Sequence, residues 1–140
     1  MGGIDMQEGR LDLATYRWQI RLVLIFALTA TESAYLEQLA VFAGHEPDNA
    51  DRDLLIGQFP RHGQGLLNGQ QVIPEAVATL RRQFAVERDG FTVLLIGKDG
   101  GVKVRSSQPL TAEQIFATID QMPMRQQERE RHSSTDHCVD

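Results

Sequence analysis

Residues 91–125, FTVLLIGKDGGVKVRSSQPLTAEQIFATIDQMPMR, constrain the fold more than any other part of this chain. Phe91 to Ile96 is a run of strand length, apolar apart from Thr92, which suits a strand covered on both faces. Lys98-Asp99-Gly100-Gly101 follows as a tight-turn signal, because Asp-Gly supplies residues that tolerate positive φ. Val102 to Arg105 then returns as a second strand. Thr111 and Gln114 have the spacing of a capping box, and Leu110 is placed to staple onto Ile115. Ile115, Phe116, Ile119 and Met122 recur at helical spacing as one apolar stripe, and Pro123 is expected to stop the helix. The run therefore predicts a β-hairpin leading into a capped amphipathic helix.

The rest of the chain supplies elements that such a hairpin can join. The segment from Arg21 to Ala30, RLVLIFALTA, has the length of a signal-peptide core. However, Asp5, Glu8 and Asp12 precede it, and the large Leu28 would sit three residues before a cut after Ala30. It reads instead as a buried strand, with Tyr16 and Trp18 ahead of it as aromatic anchors against the sheet. Thr29 and Glu32 have capping-box spacing and predict a helix with a stripe of Leu36, Leu39, Ala40 and Ala43, ended by Gly44 and Pro47. Asp53 to Phe59 is a second strand. From Pro60 to Pro74 a long glycine-containing stretch reads as a flexible surface loop, and Pro74 opens a helix whose inner face is Val77, Leu80 and Phe84. The predicted order is β-α-β-α-β-β-α, an α/β fold with four strands. Periodicity leaves the direction of the third strand against the first undecided.

A chain of 140 residues with 41% apolar and 24% charged side chains supports one core. The expected division is a polar leader over 1–12, a domain over 13–125 and a structureless tail over 126–140. Fourteen Lys and Arg against 19 Asp and Glu give a net charge of −5, which argues against a nucleic-acid partner. No apolar run approaches the roughly twenty residues of a membrane span. Without a recognisable export signal the chain as written is expected in the cytoplasm, with an exported form as the alternative if the gene start is misassigned. A single cysteine forms no internal disulfide. His132, His137, Cys138 and Asp140 are metal-capable, but no zinc-type ligand pair accompanies them, so neither a metal nor a cofactor is expected.

Taken together, YRW–R–LVLIFA near the start, DRDL before the second strand, FTVLLIGKDGGVKVR and IFATIDQMPMR resemble the thioredoxin and peroxiredoxin superfamily. Within it they resemble the bacterial branch of the DUDES domain family, thioredoxin-like domains without an established reaction. Relatives of that family occur as repeated modules in vertebrate secreted and matrix-associated proteins. The resemblance covers Leu13 to Arg125. It implies a thioredoxin-like, four-stranded mixed sheet with the first strand central, the second parallel to it and the third antiparallel. It also implies a nucleophilic cysteine just after the first strand, where amides and the helix dipole lower its pKa, and a cis-proline before the third. Here those stretches read Thr29-Ala30-Thr31-Glu32-Ser33 and Arg88-Asp89-Gly90-Phe91. A hydroxyl cannot replace the thiol, since it cannot cycle through a disulfide.

The expectation is a redox-inert binding or interaction module rather than an enzyme, with a protein or small-molecule ligand. Its candidate binding pole comprises Thr29, Thr31, Glu32, Ser33, Gly90, Phe91 and Arg105. One rival is a thiol-dependent oxidoreductase or peroxidase using Cys138 or a small thiol cofactor such as glutathione. Another is a surface or matrix-type structural module. Capping by itself accounts for the Thr29/Glu32 spacing. Arg61, His62, Gly63 and Gly65 could wrap an anion but match no phosphate-loop pattern. Lys98 and Asp99 read as a solvated turn.

Overall fold

The computed structural model describes residues 16–87 and 90–130. Strand β1 (Arg21–Thr29) is buried from Arg21 through Ala27. Its side chains alternate between two cores, Val23, Ile25 and Ala27 on one face and Leu22, Leu24 and Phe26 on the other. A strand apolar on both faces needs cover on both, so β1 sits inside the sheet. Strand β2 (Leu54–His62) pairs with it in parallel, Leu24 opposite Gly57. After two short strands, β3 and β4, described below, β5 (Thr92–Ile96) pairs antiparallel on the other side, Leu24 opposite Leu94. Strand β6 (Val102–Ser106) closes the hairpin and pairs antiparallel with β5. These directions are the ones the resemblance implied.

Helices fill the two faces. On the Val23 face lie α1 (Ser33–Phe42), followed by the short α2 (Glu46–Asp51), with Tyr35 and Phe42 buried. Helix α3 (Pro74–Gln83) covers the Leu24 face with Val77 and Leu80. Helix α4 (Ala112–Asp120) returns to the first face with Ile115 and Ile119. Its capping box forms as expected, with Thr111 Oγ1 accepting from the Gln114 amide at 3.0 Å and Gln114 Oε1 accepting from the Thr111 amide at 2.8 Å.

The sheet has six strands rather than four, in the order β4-β3-β2-β1-β5-β6. The stretch expected as a flexible loop folds into a hairpin, β3 (Gly65–Leu67) and β4 (Gln70–Val72), on the free edge of β2. Asn68 and Gly69 turn it with φ of 52° and 81°, the left-handed pair a two-residue hairpin requires. Leu67 and Val72 bury against α3 and hold it to the core.

Four further expectations are corrected. The Thr29/Glu32 capping box is absent: β1 stays paired through Thr29 opposite His62, so the helix starts later. Glu32 becomes the N-cap residue without a side-chain cap, and its Oε1 accepts from the Leu28 amide instead. The buried stripe of α1 is Tyr35, Gln38 and Phe42, while Leu36 is 51% exposed. Gln38 is buried because its amide clamps the Leu110 backbone, donating to the carbonyl at 2.9 Å and accepting from the N–H at 2.8 Å. Trp18 does not dock; its backbone does, at φ 72°, donating to the Lys98 carbonyl, while the indole is 57% exposed. Tyr16 packs on the α3 side.

Pro123, finally, starts a helix as well as following one. Residues 123–130, α5, are helical, so the tail expected from 126 begins with an ordered turn. The leader before Tyr16, Arg88 and Asp89, and the segment holding His132, His137, Cys138 and Asp140 lie outside the described residues. Among the described residues no helix is long and apolar enough to cross a membrane.

Candidate functional site

Parallel pairing of β1 and β2 brings their carboxyl ends together, Thr29 beside His62. Because Thr92 pairs with Phe26, Gly90 and Phe91 enter the sheet at that same end. Thr29, Thr31, Glu32 and Ser33 form the β1–α1 turn there, with the two threonine hydroxyls 3.3 Å apart and bonded to each other. Phe91 joins the core beside Val93 and offers no exposed surface. Arg105 lies apart from this group. Its guanidinium reaches the other face of the sheet and donates to the Phe84 and Ala85 carbonyls at the end of α3, a helix-capping role.

Beside this turn is a cavity of about 520 Å³ between the β2–β3 corner and α3. Pro60 stands opposite Ala27 in the sheet. Arg81, reaching across from α3, clasps the ends of β1 and β2: its Nη2 donates to the Ala27 carbonyl at 2.9 Å and to the Phe59 carbonyl at 3.1 Å. Nη1 donates to the Glu87 carbonyl, and Nε is buried with no acceptor among the described residues. Burial pushes the Arg81 guanidinium below its ordinary pKa, and the nearby Arg61 cation pushes it further. Arg82, on the cavity rim, is exposed and bonds the Thr79 hydroxyl. Gly65 forms part of the wall, where a Cβ would stand 2.9 Å from Val77 Cγ2.

The opposite end of the sheet, where β1 begins, holds the charged residues that the sequence reading missed. Arg21, wholly buried, donates twice to Glu128, both at 3.2 Å, and once to the Arg52 carbonyl at 2.8 Å. Lys98 shares Glu128 at 2.6 Å and pairs with Asp53 at 2.8 Å. Arg52 grips Asp120 with two nitrogens, at 3.1 and 2.9 Å. Arg125 links Asp120 to Asp51 at 3.0 and 2.6 Å. Burial pushes the Glu128 carboxyl up, but hydrogen bonds from Lys98 and Arg21, with their charges, outweigh it and hold it below the usual range. Asp120 is likewise driven up by burial and brought below its ordinary value by Arg52 and Arg125.

A cavity of about 460 Å³ adjoins this network, lined by Arg21, Lys98, Trp18, Met122 and Pro123 among others. Lys98, expected in a solvated turn, is thus a buried cation. The available signal was position: Arg21 directly precedes the apolar run of β1, and Lys98 follows β5 by one glycine. Each of the four motifs that carry the resemblance contributes a member. Among the described residues no three His, Cys, Asp or Glu side chains converge as a metal site.

A central parallel β1–β2 pair, an antiparallel β5–β6 hairpin and helices on both faces define a thioredoxin-like α/β protein. The fold matches the crystal structure of reduced Plasmodium vivax 2-Cys peroxiredoxin with a TM-score of 0.61, over 84% of this chain and 85% of that one. Sequence identity is 11%, so the likeness is one of fold. The chain belongs to the family described as Domain of unknown function (DUF4174), which matches residues 12–128. Coiled-coil domain-containing protein 80 of Danio rerio is 27% identical over 132 residues, covering 83% of this chain and 15% of its own length. Sushi repeat-containing protein SRPX2 of Xenopus laevis is 38% identical over 66 residues, covering 47% of this chain and 14% of its own length. The chain therefore spans a small part of the length of these relatives.

Proposed function

We propose that this chain is a redox-inert binding domain of the bacterial DUDES type, taking its ligand at the β1–α1 turn and the cavity beside it. One observation carries the reading. At the turn where the superfamily places its nucleophilic thiol, the residues are Thr29, Ala30, Thr31, Glu32 and Ser33, and the two threonine hydroxyls bond each other. Neither hydroxyl has a neighbouring base among its hydrogen-bond partners, so neither is activated as a nucleophile. The turn keeps the position of a reactive centre and lacks its chemistry. The adjoining cavity falls within the size range of small-molecule sites.

The test addresses Cys138, the chain's single thiol. Full-length protein and Cys138→Ser are compared for reduction of hydrogen peroxide and of a model disulfide, and the wild-type alkylation rate is followed against pH. The expected result is no turnover in either protein and an alkylation profile with the midpoint of an ordinary cysteine, about 8.5. Turnover in the wild type that vanishes in Cys138→Ser overturns the reading in favour of a thiol enzyme.

A further inference from the structure

We infer that the cavity between the β2–β3 corner and α3 binds a small organic anion, a carboxylate or phosphate monoester whose head meets Arg81 and Arg82 and whose apolar body lies on Val72 and Val77. This rests on the binding-domain reading and names the ligand class for it. The first support is Arg81. Three of its four Nη–H bonds go to main-chain carbonyls, its Nε is buried without an acceptor among the described residues, and among those residues no carboxylate lies within ion-pair distance of it. Carbonyl dipoles satisfy N–H groups but leave the charge of a partly buried guanidinium uncompensated. Burial holds its pKa down and the Arg61 cation adds to this, and an anion offsets that repulsion.

The second support is placement. Arg82 follows Arg81 on α3 and stands at the cavity rim, where among the described residues its side chain bonds the neutral Thr79 hydroxyl. A head group entering the cavity therefore meets two consecutive guanidinium groups, one fixed and one able to swing. The site lies at the carboxyl ends of the parallel strands β1 and β2, where open α/β sheets bind ligands.

The third support is the wall. Val72 and Val77 line the cavity with Pro60 and Pro74, and the volume of about 520 Å³ far exceeds a bare oxyanion. Such a shape takes an organic body behind the charge. The glycine-containing stretch from Arg61 to Gly69 supplies part of this wall through the end of β2 and the start of β3.

Full-length protein is titrated by calorimetry with phenyl phosphate, phenylacetate and the neutral phenylacetamide. The expected result is saturable binding of at least one anion, weakening with added salt, and none of the amide. Arg82→Gln should weaken anion binding about tenfold, the scale of one charge-assisted hydrogen bond, and Arg82→Glu should abolish it. Equal affinity for the amide, affinity unchanged in both Arg82 variants, or no binding of either anion at about 10 mM, weaker than any useful site, would each overturn the inference. Because Arg82 is exposed, these variants should fold, and circular dichroism checks that they do. The two proposals fail separately. Thiol turnover with intact anion binding sinks the redox-inert reading alone, whereas no turnover with no anion binding sinks the anion site alone.

Discussion

Where β1 begins, Arg21, Arg52, Lys98 and Arg125 each hold a carboxylate, drawn from Asp51, Asp53, Asp120 and Glu128. Where β1 stops, Arg81 holds three carbonyls and Arg82 one hydroxyl. Both ends withdraw cations from water, and burial opposes the charged form at each. Among the described residues, the cations of the first end hold carboxylates, whereas none lies within ion-pair distance of Arg81. Those carboxylates come from α2, the residue before β2, the end of α4, and α5, so the ion pairs also tie these elements to the buried start of β1. The second end uses Arg81 to clasp the Ala27 and Phe59 carbonyls of β1 and β2 beside an open cavity. The difference separates a self-contained structural network from a surface that calls for an anion.

The largest effect expected from this comparison follows removal of the acid that Arg21 and Lys98 share. Glu128→Gln keeps the shape of the side chain, removes the carboxylate paired with the fully buried Arg21, and leaves Lys98, only 8% exposed, with Asp53 alone among the described acids. Removing one partner of a buried ion pair typically costs about 3–5 kcal/mol. Urea denaturation measures it. A loss below about 1 kcal/mol, the scale of exposed pairs, would mean that the network is a solvated surface and that the two ends do not differ.

Acid gives a second, graded way to press on the same end. Glu128 and Asp120 both titrate below their ordinary values of 4.5 and 3.8. A carboxyl whose folded pKa is depressed contributes stability that is complete above the unfolded value and is lost as pH falls through the folded one. Stability should therefore be level above about pH 5 and decline on acidification below it. The decline should be shallower in Glu128→Gln, which lacks one of the two groups. An acid limb unchanged by that substitution would assign the acid sensitivity to other carboxylates.

How much of this was legible depends on whether the deciding contact was local. The Thr111 capping box needs only Gln114, three residues on, and it forms as read. The hairpin of β5 and β6 was equally local. The Thr29 box had the same spacing but failed, because strand pairing with His62 keeps Thr29 extended, and that partner lies 33 residues away. Strands β3 and β4 are three residues each, too short for any periodicity, although Asn68-Gly69 signalled their turn. Lys98 looked like part of a polar turn because the acid that buries it, Glu128, sits in a segment whose composition reads as tail. Arg105 was assigned to the binding pole, yet its partners are the α3 carbonyls of Phe84 and Ala85. Arg81 was invisible in the apolar stripe of α3; its role follows from the register that sets the Ala27 and Phe59 carbonyls side by side at the ends of β1 and β2.

The smallest effect belongs to the open end and sharpens the comparison most. Arg82→Gln removes a cation that bonds the neutral Thr79 hydroxyl and, among the described residues, holds no carboxylate. Arg82 also stands one position after Arg81, and its removal relieves repulsion between two like charges at the end of α3. Against this, arginine in the last turn interacts favourably with the helix dipole, a contribution of about 0.3–1 kcal/mol at exposed sites. The two terms oppose each other, and the net change in stability should lie within about 0.5 kcal/mol, the usual range for exposed positions. Urea denaturation in low and high salt measures it, since salt screens both terms. A loss of about 2 kcal/mol or more would mean that Arg82 is part of the scaffold, as Arg21 is at the other end, and would remove the reason to see it as held ready for a ligand.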